Sequence, residues 1–467
     1  MALAASFCFS GSAIAFSHHE RTLKSPERLS YPPLSFQLPK AQRSVLSNGV
    51  PLHIAEDHEL PLVKVTALIK MGSIHDPSGK EGIVELLGDV LLTGGTDFLS
   101  GDEIDEALAF MAADIRCDVH LEYTLLTLSV LRKDVDKALQ IFSSILKNPL
   151  FEQGKFLIAK NLKIEELRRI SDDPQNLAFR SYRRLIYKDD PRGRLSSQKS
   201  LDKIDRNDLL NFHKKHVFAG NILLAVSGDM TGAEALAKFN LYFGDWQNSN
   251  LHPETLPPPV AGQKGSLSLI SKETPQSIII YGHRGPGISS PDFYPFTVLD
   301  FILGSGGFQS RIFQEIRTNR GLAYSTGSFY QGRQGYGIFE TYVFTKAEST
   351  IQALRLIMDL IKEIQDKEAS PKELQWAINS ISNNFIFSFK TADDVVFQQM
   401  MCEYKKLPRN FLEAYPGRIS AVRTADVRRV ASKYLDPKEA VILVVGQEQE
   451  FDAPLSHFGA VNRENLF

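Results

Sequence analysis

The chain has 467 residues, of which 43% are hydrophobic and 23% charged, and its 53 basic and 55 acidic residues leave a formal net charge of -2. This is the composition of a soluble globular protein with room for several domains of roughly 100 to 200 residues. The near balance of charge gives no electrostatic reason to bind nucleic acid or an anionic membrane. The cysteines have no paired spacing, which excludes a disulfide framework and a thiolate zinc site; they are Cys8, Cys117 and Cys402.

The stretch MALAASFCFSGSAIAFSHHE, residues 1–20, predicts a leader that is removed from the mature protein. It is mostly small or apolar, and its apolar run ends in SAIA, a small-x-small pattern typical of a signal-peptide cleavage site. We therefore expect an exported, for example periplasmic, protein. The stretch has no Lys or Arg, so a Ser-rich organellar leader and an unstructured tail are alternatives. No later segment has the roughly 18 apolar residues that a membrane-spanning helix needs.

The same series of elements is predicted in each half of the chain. Alternating apolar residues predict strands at 63–69 and 123–131 in the first half, and at 276–281 and 337–344 in the second. A long helix separates the two strands of each half, and helices with apolar residues at three and four spacing follow. The pattern indicates an α+β domain with helices packed on one face of a sheet.

The two halves also align with each other at a shift of about 215 residues, too long for a solenoid repeat. The aligned pairs, in chain order, are Pro61 with Pro275, Ala138 with Ala353, Asp208 with Asp426, and Gly228 with Gly446. We therefore predict two homologous domains at residues 40–245 and 267–450. The Pro-rich stretch between them, residues 246–266, has no apolar period and is predicted to be a linker.

Several motifs resemble one known family over most of residues 44 to 450. They are GIVELLGDVLLTGGT from Gly82, NPLF from Asn148, IEELRRISDDP from Ile164, and YGHRGPGISSPDFYPFTVLDFILGSGGFQSRIFQEIRTNRGLAYS from Tyr281. With these motifs in this order, the sequence is similar to the two-domain metallopeptidases of the pitrilysin, insulysin and mitochondrial processing peptidase family.

The resemblance implies that the helix after Gly82 has lost the family's chemistry. Active members carry the inverted zinc motif His-x-x-Glu-His there, with its Glu as general base and a distal Glu as third ligand. Aligned on Gly82, the two His positions hold Glu85 and Asp89, and the catalytic Glu position holds Gly88. Glu166 matches the distal ligand. The general base is absent, since Gly88 has no side chain to accept a proton.

Two other arrangements of metal ligands are conceivable in the sequence. Glu85, Asp89 and Glu166 together would suit a hard cation such as magnesium, calcium or manganese better than zinc. We interpret them instead as a solvated acidic face that binds no metal. His213 and His216 lie three residues apart in NFHKKHVF, but we interpret them as structural residues at a Lys-rich helix end, where cations suit the helix dipole.

In the second half, the resemblance implies substrate contacts. Arg320 and Tyr324 in NRGLAYS match an Arg-x-x-x-Tyr pair that catalytic members use to hold substrate backbone near the scissile carbonyl. A guanidinium fork and a phenol are both suited to that role. The alternative is a surface ion pair for Arg320 and a half-buried strand position for Tyr324.

The glycine-rich stretch LGSGGFQSR precedes this pair and contains Gly304, Gly306 and Gly307. A phosphate-binding loop is excluded, because no Gly-Lys-Ser/Thr follows. We expect a flexible loop that contacts substrate, and a simple turn is the alternative.

These features favour a non-catalytic, substrate-contacting subunit of a heterodimeric zinc peptidase that cleaves peptides or unfolded polypeptides. On this hypothesis zinc is bound by a homologous partner that carries His-x-x-Glu-His, and this chain holds no metal. One alternative is a structural or scaffold member of the family with no proteolytic role. Another is an atypical metallopeptidase that uses Glu85, Asp89 and Glu166.

Overall fold

The computed structural model describes residues 37–246, 251–255, 259 and 264–464. The predicted leader, residues 1–20, lies outside the described residues, and the predicted linker, residues 246–266, lies partly outside them. The described chain folds into two mixed β-sheets that are covered by helices.

The first half of the chain builds a six-stranded sheet in the order β1-β2-β6-β3-β5-β4. Its central strand β6 is apolar along most of its length and buried, as expected for a strand covered on both faces. The strands are β1 Gln42–Val45, β2 Pro51–Glu56, β3 Leu62–Ile69, β4 Asp114–Val119, β5 Thr124–Leu131 and β6 Ile222–Gly228.

The second half builds another six-stranded sheet, in the order β12-β7-β11-β8-β10-β9. The strands are β7 Ser266–Ser271, β8 Gln276–Gly285, β9 Ala323–Gly332, β10 Gly337–Lys346, β11 Val441–Gly446 and β12 Val461–Arg463. Five neighbouring strands repeat the first sheet position by position. The sixth position differs, because β1 pairs antiparallel with β2 whereas β12 pairs parallel with β7.

Strand register confirms the duplication. In the first sheet Thr66 of β3 lies between Thr127 of β5 and Ala225 of β6. In the second, Ile280 of β8 lies in the same way between Tyr342 of β10 and Leu443 of β11. Each of these pairs of equivalent residues is separated by about 215 positions, the shift of the sequence repeat.

Helices of each half cover one face of that half's sheet, as predicted. The first half contains α1 Ile83–Thr93, α2 Gly101–Phe110, α3 Val135–Lys147, α4 Gln153–Arg169, α5 Pro174–Ile186, α6 Gln198–Asp202, α7 Arg206–His216 and α8 Gly232–Phe243. The second contains α9 Phe293–Asp300, α10 Thr350–Asp366, α11 Pro371–Phe385, α12 Ala392–Tyr404, α13 Phe411–Ser420 and α14 Thr424–Tyr434. Apolar residues at three and four spacing bury the inner faces of α3 and α10; Ala138 and Ala353 are both fully buried.

The opposite face of each sheet receives a helix from the other half. From the first half, α5 packs on β8 and β11 of the second sheet, and its Tyr182 hydroxyl donates to the carbonyl of Val441 at 3.3 Å. From the second half, α12 packs on β6 and β2 of the first sheet, where Met400 joins a cluster with Leu223 and Ala225. This exchange joins the two halves through apolar cores, and the sequence did not predict it.

Within the ranges that the structure describes, no helix combines the length and apolar character needed to cross a membrane.

Candidate functional site

The helix that aligns with the zinc motif, α1, is well formed. Asp76 caps it from outside the helix, accepting the backbone N–H of Gly82 at 2.8 Å and of Val84 at 3.1 Å. Gly82 itself has a φ of 99°, a left-handed conformation that favours glycine. The apolar face of α1, which includes Leu87 and Val90, is buried in the first core. The helix therefore keeps its structural role.

At the position of the general base, the space for a side chain is already filled. Gly88 is buried and faces β4. A Cβ atom added to Gly88 would stand 3.0 Å from Cγ2 of Val119 and 3.1 Å from Sγ of Cys117, which is tight contact before any longer side chain is built. No acid group replaces the missing glutamate at this position.

The acidic positions are linked by a lysine that sequence reasoning missed. Lys163 of α4 places its Nζ 3.4 Å from Oε2 of Glu85 and 3.0 Å from Oε2 of Glu166. Its side chain is only 13% exposed. Lys163 precedes Glu166 by three residues, so the two share one face of α4. That spacing was the available sequence signal.

Asp89 lies beside this ion-pair group on the open side of α1. Desolvation raises the pKa of its carboxyl; Lys163 opposes that shift, and the charges of Glu85 and Glu166 add to it. The first half thus brings Glu85, Asp89 and Glu166 into one electrostatic group, in which the ammonium of Lys163 contacts Glu85 and Glu166.

These residues do not fit the zinc that the family resemblance implies for active members. Zinc is usually bound by imidazole nitrogen and thiolate sulfur with at most one carboxylate. Here all three candidate donors are carboxylates, and Lys163 already contacts two of them. Among the described residues, no group of three or more His, Cys, Asp or Glu side chains has the arrangement of a metal site.

His213 and His216 lie in the Lys-rich last turn of α7, as the sequence indicated, but their side chains are buried. Burial lowers the pKa of both imidazoles to about 4, so they are neutral at pH 7. His213 Nε2 pairs with the carbonyl of Leu146 at 3.0 Å, and the His216 ring lies 4.3 Å from the Phe212 ring. The dipole argument was therefore the wrong reason for interpreting them as structural.

In the second half, the glycine-rich stretch begins in a π-helical turn, Phe301–Ser305, that continues α9. Gly304 packs so closely on β9 that an added Cβ would lie 2.4 Å from Oγ of Ser328, and Gly306 packs equally closely on Trp376. Gly307 has a φ of 68° and open space around it. Gly304 and Gly306 therefore allow close packing, whereas Gly307 is half-buried and has room for a side chain.

Tyr324 stands at an irregularity in the edge strand of the second sheet. In β9, Ser325 pairs with Phe344 and Ala323 pairs with Thr345, which leaves Tyr324 as the extra residue of a β-bulge. Its side chain is 80% exposed, not half-buried. Bulges commonly redirect a side chain at sheet edges and beside active sites. The phenol is thus held outward by the backbone of a well-packed strand.

The arginine beside Tyr324 is Arg317, which sequence reasoning missed. Its guanidinium carbon lies 4.8 Å from the Tyr324 ring centroid and 4.7 Å from that of Phe313. The Phe313 to Arg317 spacing of one helical turn was a weak sequence signal. The Arg317 guanidinium forms no hydrogen bond or ion pair with another described residue, so its donors remain available.

Arg320, by contrast, is engaged within its own segment. Its Nη1 donates to the carboxylate of Glu315 and, at 3.3 Å, to the backbone carbonyl of the same residue. The hydrogen bond from Arg320 is the largest cause of a lowered pKa at Glu315. The Arg320 side chain is 41% exposed, so part of its fork still faces solvent.

The two groups of site residues occupy different parts of the molecule. The acidic positions and Lys163 lie on α1 and α4 above the first sheet, whereas Arg317, Arg320 and Tyr324 lie at the edge of the second. In the described part of the chain, no hydrogen bond, ion pair or ring contact joins the groups. The chain therefore does not assemble them into one catalytic centre.

Two family models match successive parts of the chain, and the second begins within the first half. The model described as Insulinase (Peptidase family M16) matches residues 53–196, and the model described as Peptidase M16 inactive domain matches residues 203–381.

Relatives and solved structures agree with these models. An uncharacterized zinc protease of Rickettsia felis is 27% identical over 360 residues, 75% of this chain and 85% of the relative. The mitochondrial-processing peptidase subunit beta of Mus musculus is 22% identical over 429 residues, 89% of this chain and 86% of the relative. A crystal structure described as a peptidase M16 inactive domain from Pseudomonas fluorescens has a TM-score of 0.80 at 22% identity, covering 92% of this chain and 100% of that one.

The last likeness shows the fold alone, since it is below 25% identity. The helix after Gly82 holds Glu85, Gly88 and Asp89 where the zinc motif belongs. Because the two M16 models match residues 53–196 and 203–381, this chain belongs to peptidase family M16, the pitrilysin, insulysin and processing peptidase family, as a member without its zinc-binding motif.

Proposed function

We propose that this chain is the non-catalytic, substrate-contacting subunit of a heterodimeric zinc peptidase that cleaves peptides or unfolded polypeptides. A homologous partner that carries His-x-x-Glu-His binds the zinc and supplies the general base. This chain contributes Tyr324 with Arg317, and the solvent-facing part of Arg320, to substrate held at the partner's zinc.

The observation that carries the proposal is the exposed Tyr324 phenol at the bulge of β9, beside an arginine with free donors. A tyrosine that is so exposed buries little apolar surface, whereas a phenol and a guanidinium fork can both donate to a peptide carbonyl on which negative charge develops. The relatives named as a zinc protease and as a processing peptidase subunit support a peptidase setting.

The Lys163 ion pairs weigh against the alternative of a metallopeptidase that acts alone. A cation at Glu85, Asp89 and Glu166 would have to displace the ammonium from two carboxylates. Even with a metal bound, Gly88 offers no base to accept a proton from water.

Peptide cleavage tests the proposal. Three samples are compared on a fluorogenic peptide: this chain, a homologous chain with His-x-x-Glu-His, and their equimolar mixture. We expect cleavage only in the mixture, and loss of about 100-fold in kcat when the mixture contains Tyr324→Phe, because one donor to the developing charge is removed. Tyr242→Phe, a half-buried tyrosine of α8, is the matched control and should leave the rate unchanged.

Each other result decides against the proposal in a different way. Cleavage by this chain alone, abolished by a chelator, would establish the atypical metallopeptidase. A mixture that forms a stable complex and cleaves equally well with Tyr324→Phe would instead support the scaffold role.

A further inference from the structure

One part of the second sheet has an aromatic face that α5 leaves open. Where α5 ends its cover of β8 and β11, the Phe179 ring lies 6.3 Å from the Phe329 ring and 6.3 Å from the Tyr342 ring, centroid to centroid. Phe344 continues the face, 5.4 Å from Tyr342. Phe329 is 40% exposed although its neighbours are half-buried. An apolar side chain that binds there would move out of water and into contact with several aromatic rings.

The face carries little charge. Glu340 stands opposite Phe329 in the strand register. Burial raises the pKa of Glu340 to about 8, and Arg333 opposes the shift, so the group is mostly protonated at pH 7. An apolar side chain is therefore better accommodated than an acidic one.

A peptide can reach this face along the edge of the sheet. β9 is the outermost strand among the described residues, so the backbone groups on its outer side have no strand to pair with, and an extended peptide can add there as a further strand. Tyr324 and Phe329 lie on the same strand. At about 3.3 Å per residue, they are about 17 Å apart along it.

We propose that Phe179, Phe329 and Tyr342 form a specificity pocket for a large apolar side chain of an extended peptide paired with β9. The inference rests on the proposed function, in which Tyr324 contacts the same peptide. The apolar residue of that peptide lies about five positions from the residue beside Tyr324, given the strand spacing. The preferred substrate is thus an unfolded segment that carries Phe, Leu or a similar side chain at this distance from the cleaved bond.

Peptide binding to the full chain tests the pocket. The probes are two fluorescein-labelled peptides of about 12 residues, long enough to span the strand, which differ only in a central Phe or Ala within a Gly-Ser sequence. We expect the chain to bind the Phe peptide about tenfold more tightly in fluorescence anisotropy, as burial of one large apolar side chain allows. Phe329→Ala should abolish the preference and leave the affinity for the Ala peptide unchanged.

Phe110→Ala is the matched control, because Phe110 is 86% exposed at the end of α2 in the other half. It should keep the tenfold preference. Equal thermal melting of both variants and the unchanged chain establishes that folding is not the cause. Equal binding of the two peptides by the unchanged chain, or equal weakening of both by Phe329→Ala, would show the proposal to be wrong. Sedimentation of the unchanged chain as a dimer and of Phe329→Ala as a monomer would also show it to be wrong, because the face would then join two copies of the chain.

Cleavage by the mixture with the zinc-bearing partner separates this inference from the proposed function. A mixture that depends on Tyr324 but cleaves the Phe and Ala peptides equally, with or without Phe329→Ala, overturns the pocket alone. A mixture that cleaves neither peptide overturns the proposed function.

Discussion

The two halves of the chain have equivalent strand orders, but the side chains beside their edge strands, β4 and β9, differ in chemistry. Thr127 and Ser129 of the first sheet occupy the places of Tyr342 and Phe344 in the second, and Asp118 occupies the place of Phe329. The first half therefore shows a polar face where the second shows an aromatic one. Duplication has preserved backbone pairing, while surface side chains have diverged.

The candidate sites of the two halves also differ, in whether their charged residues pair with one another. In the first half, the charged residues pair with one another, since the ammonium of Lys163 contacts the carboxylates of both Glu85 and Glu166. In the second half, Arg317 and Tyr324 contact each other through a ring face and keep their polar groups free. Internal pairing gives the first site a structural role, whereas the unpaired donors on rigid elements in the second half are what the proposed substrate contact requires.

Separate alanine substitutions of Arg317 and Arg320 include the change with the largest expected effect. Arg317→Ala should lower kcat of the mixture with the zinc-bearing partner about 100-fold, because the free guanidinium fork beside Tyr324 is lost. Arg320→Ala should cost about fivefold at most, since Glu315 already engages that side chain. Steady-state kinetics measure both, with Arg317→Lys retaining charge without the fork. A larger loss for Arg320→Ala would restore the pair first predicted from the sequence.

A fall in pH should lower the free energy of unfolding, because the buried histidines of the first half are neutral in the folded chain. The pKa of His213 is about 4 in the folded chain, against about 6.5 unfolded. The unfolded state thus binds more protons, and this group's contribution to the free energy of unfolding is present above pH 6.5 and is lost as the pH falls toward 4, about 3 kcal/mol in full. In urea titrations, the free energy of unfolding should fall less between pH 7 and pH 5 for His213→Gln than for the unchanged chain. The exposed His457→Gln is the control; an equal drop in both variants contradicts the assignment.

Restoring a glutamate at the base position should destabilise the first half and not activate it. Gly88→Glu gains about 1 kcal/mol of helix propensity but pushes against Val119 and Cys117, which costs about 1–3 kcal/mol. We expect a net loss of about 1 kcal/mol in urea unfolding. Cys117→Ala in the same chain should recover part of it. Unchanged stability of Gly88→Glu would mean that the space is not filled.

Removing the ammonium from the first site should have an effect no larger than that of Gly88→Glu. Lys163→Met should cost about 1 kcal/mol at pH 7, a reduced value because Glu166 is 64% exposed. The loss should shrink as the pH falls and the carboxyl of Asp89, whose pKa is raised by burial, becomes protonated. Calcium should raise the melting temperature of Lys163→Met but not of the control Lys133→Met. Equal calcium effects in both would exclude a latent oxygen-ligand site.

Sequence reasoning succeeded where the pattern was local or repeated. The strand periods predicted β3, β5, β8 and β10, and the shift of about 215 residues predicted that the second half repeats the first. The motif after Gly82 predicted α1 and its altered positions. The pattern failed for α5 and α12, because amphipathic spacing tells which face of a helix is buried but not against which sheet. Lys163 and Arg317 were missed since their significance lies in contacts between elements, with Glu85 and Tyr324.

The helix exchange explains how a half without catalytic groups persists. A fragment that ended in the linker would carry α5 with its apolar side facing water, and β6 and β2 of its own sheet would lack α12. The complementary fragment would have the reverse defects, so the two, expressed separately, should recombine rather than fold alone. Neither copy of the duplicated unit can be discarded by truncation, even after its chemistry has gone, because the other copy needs one of its helices.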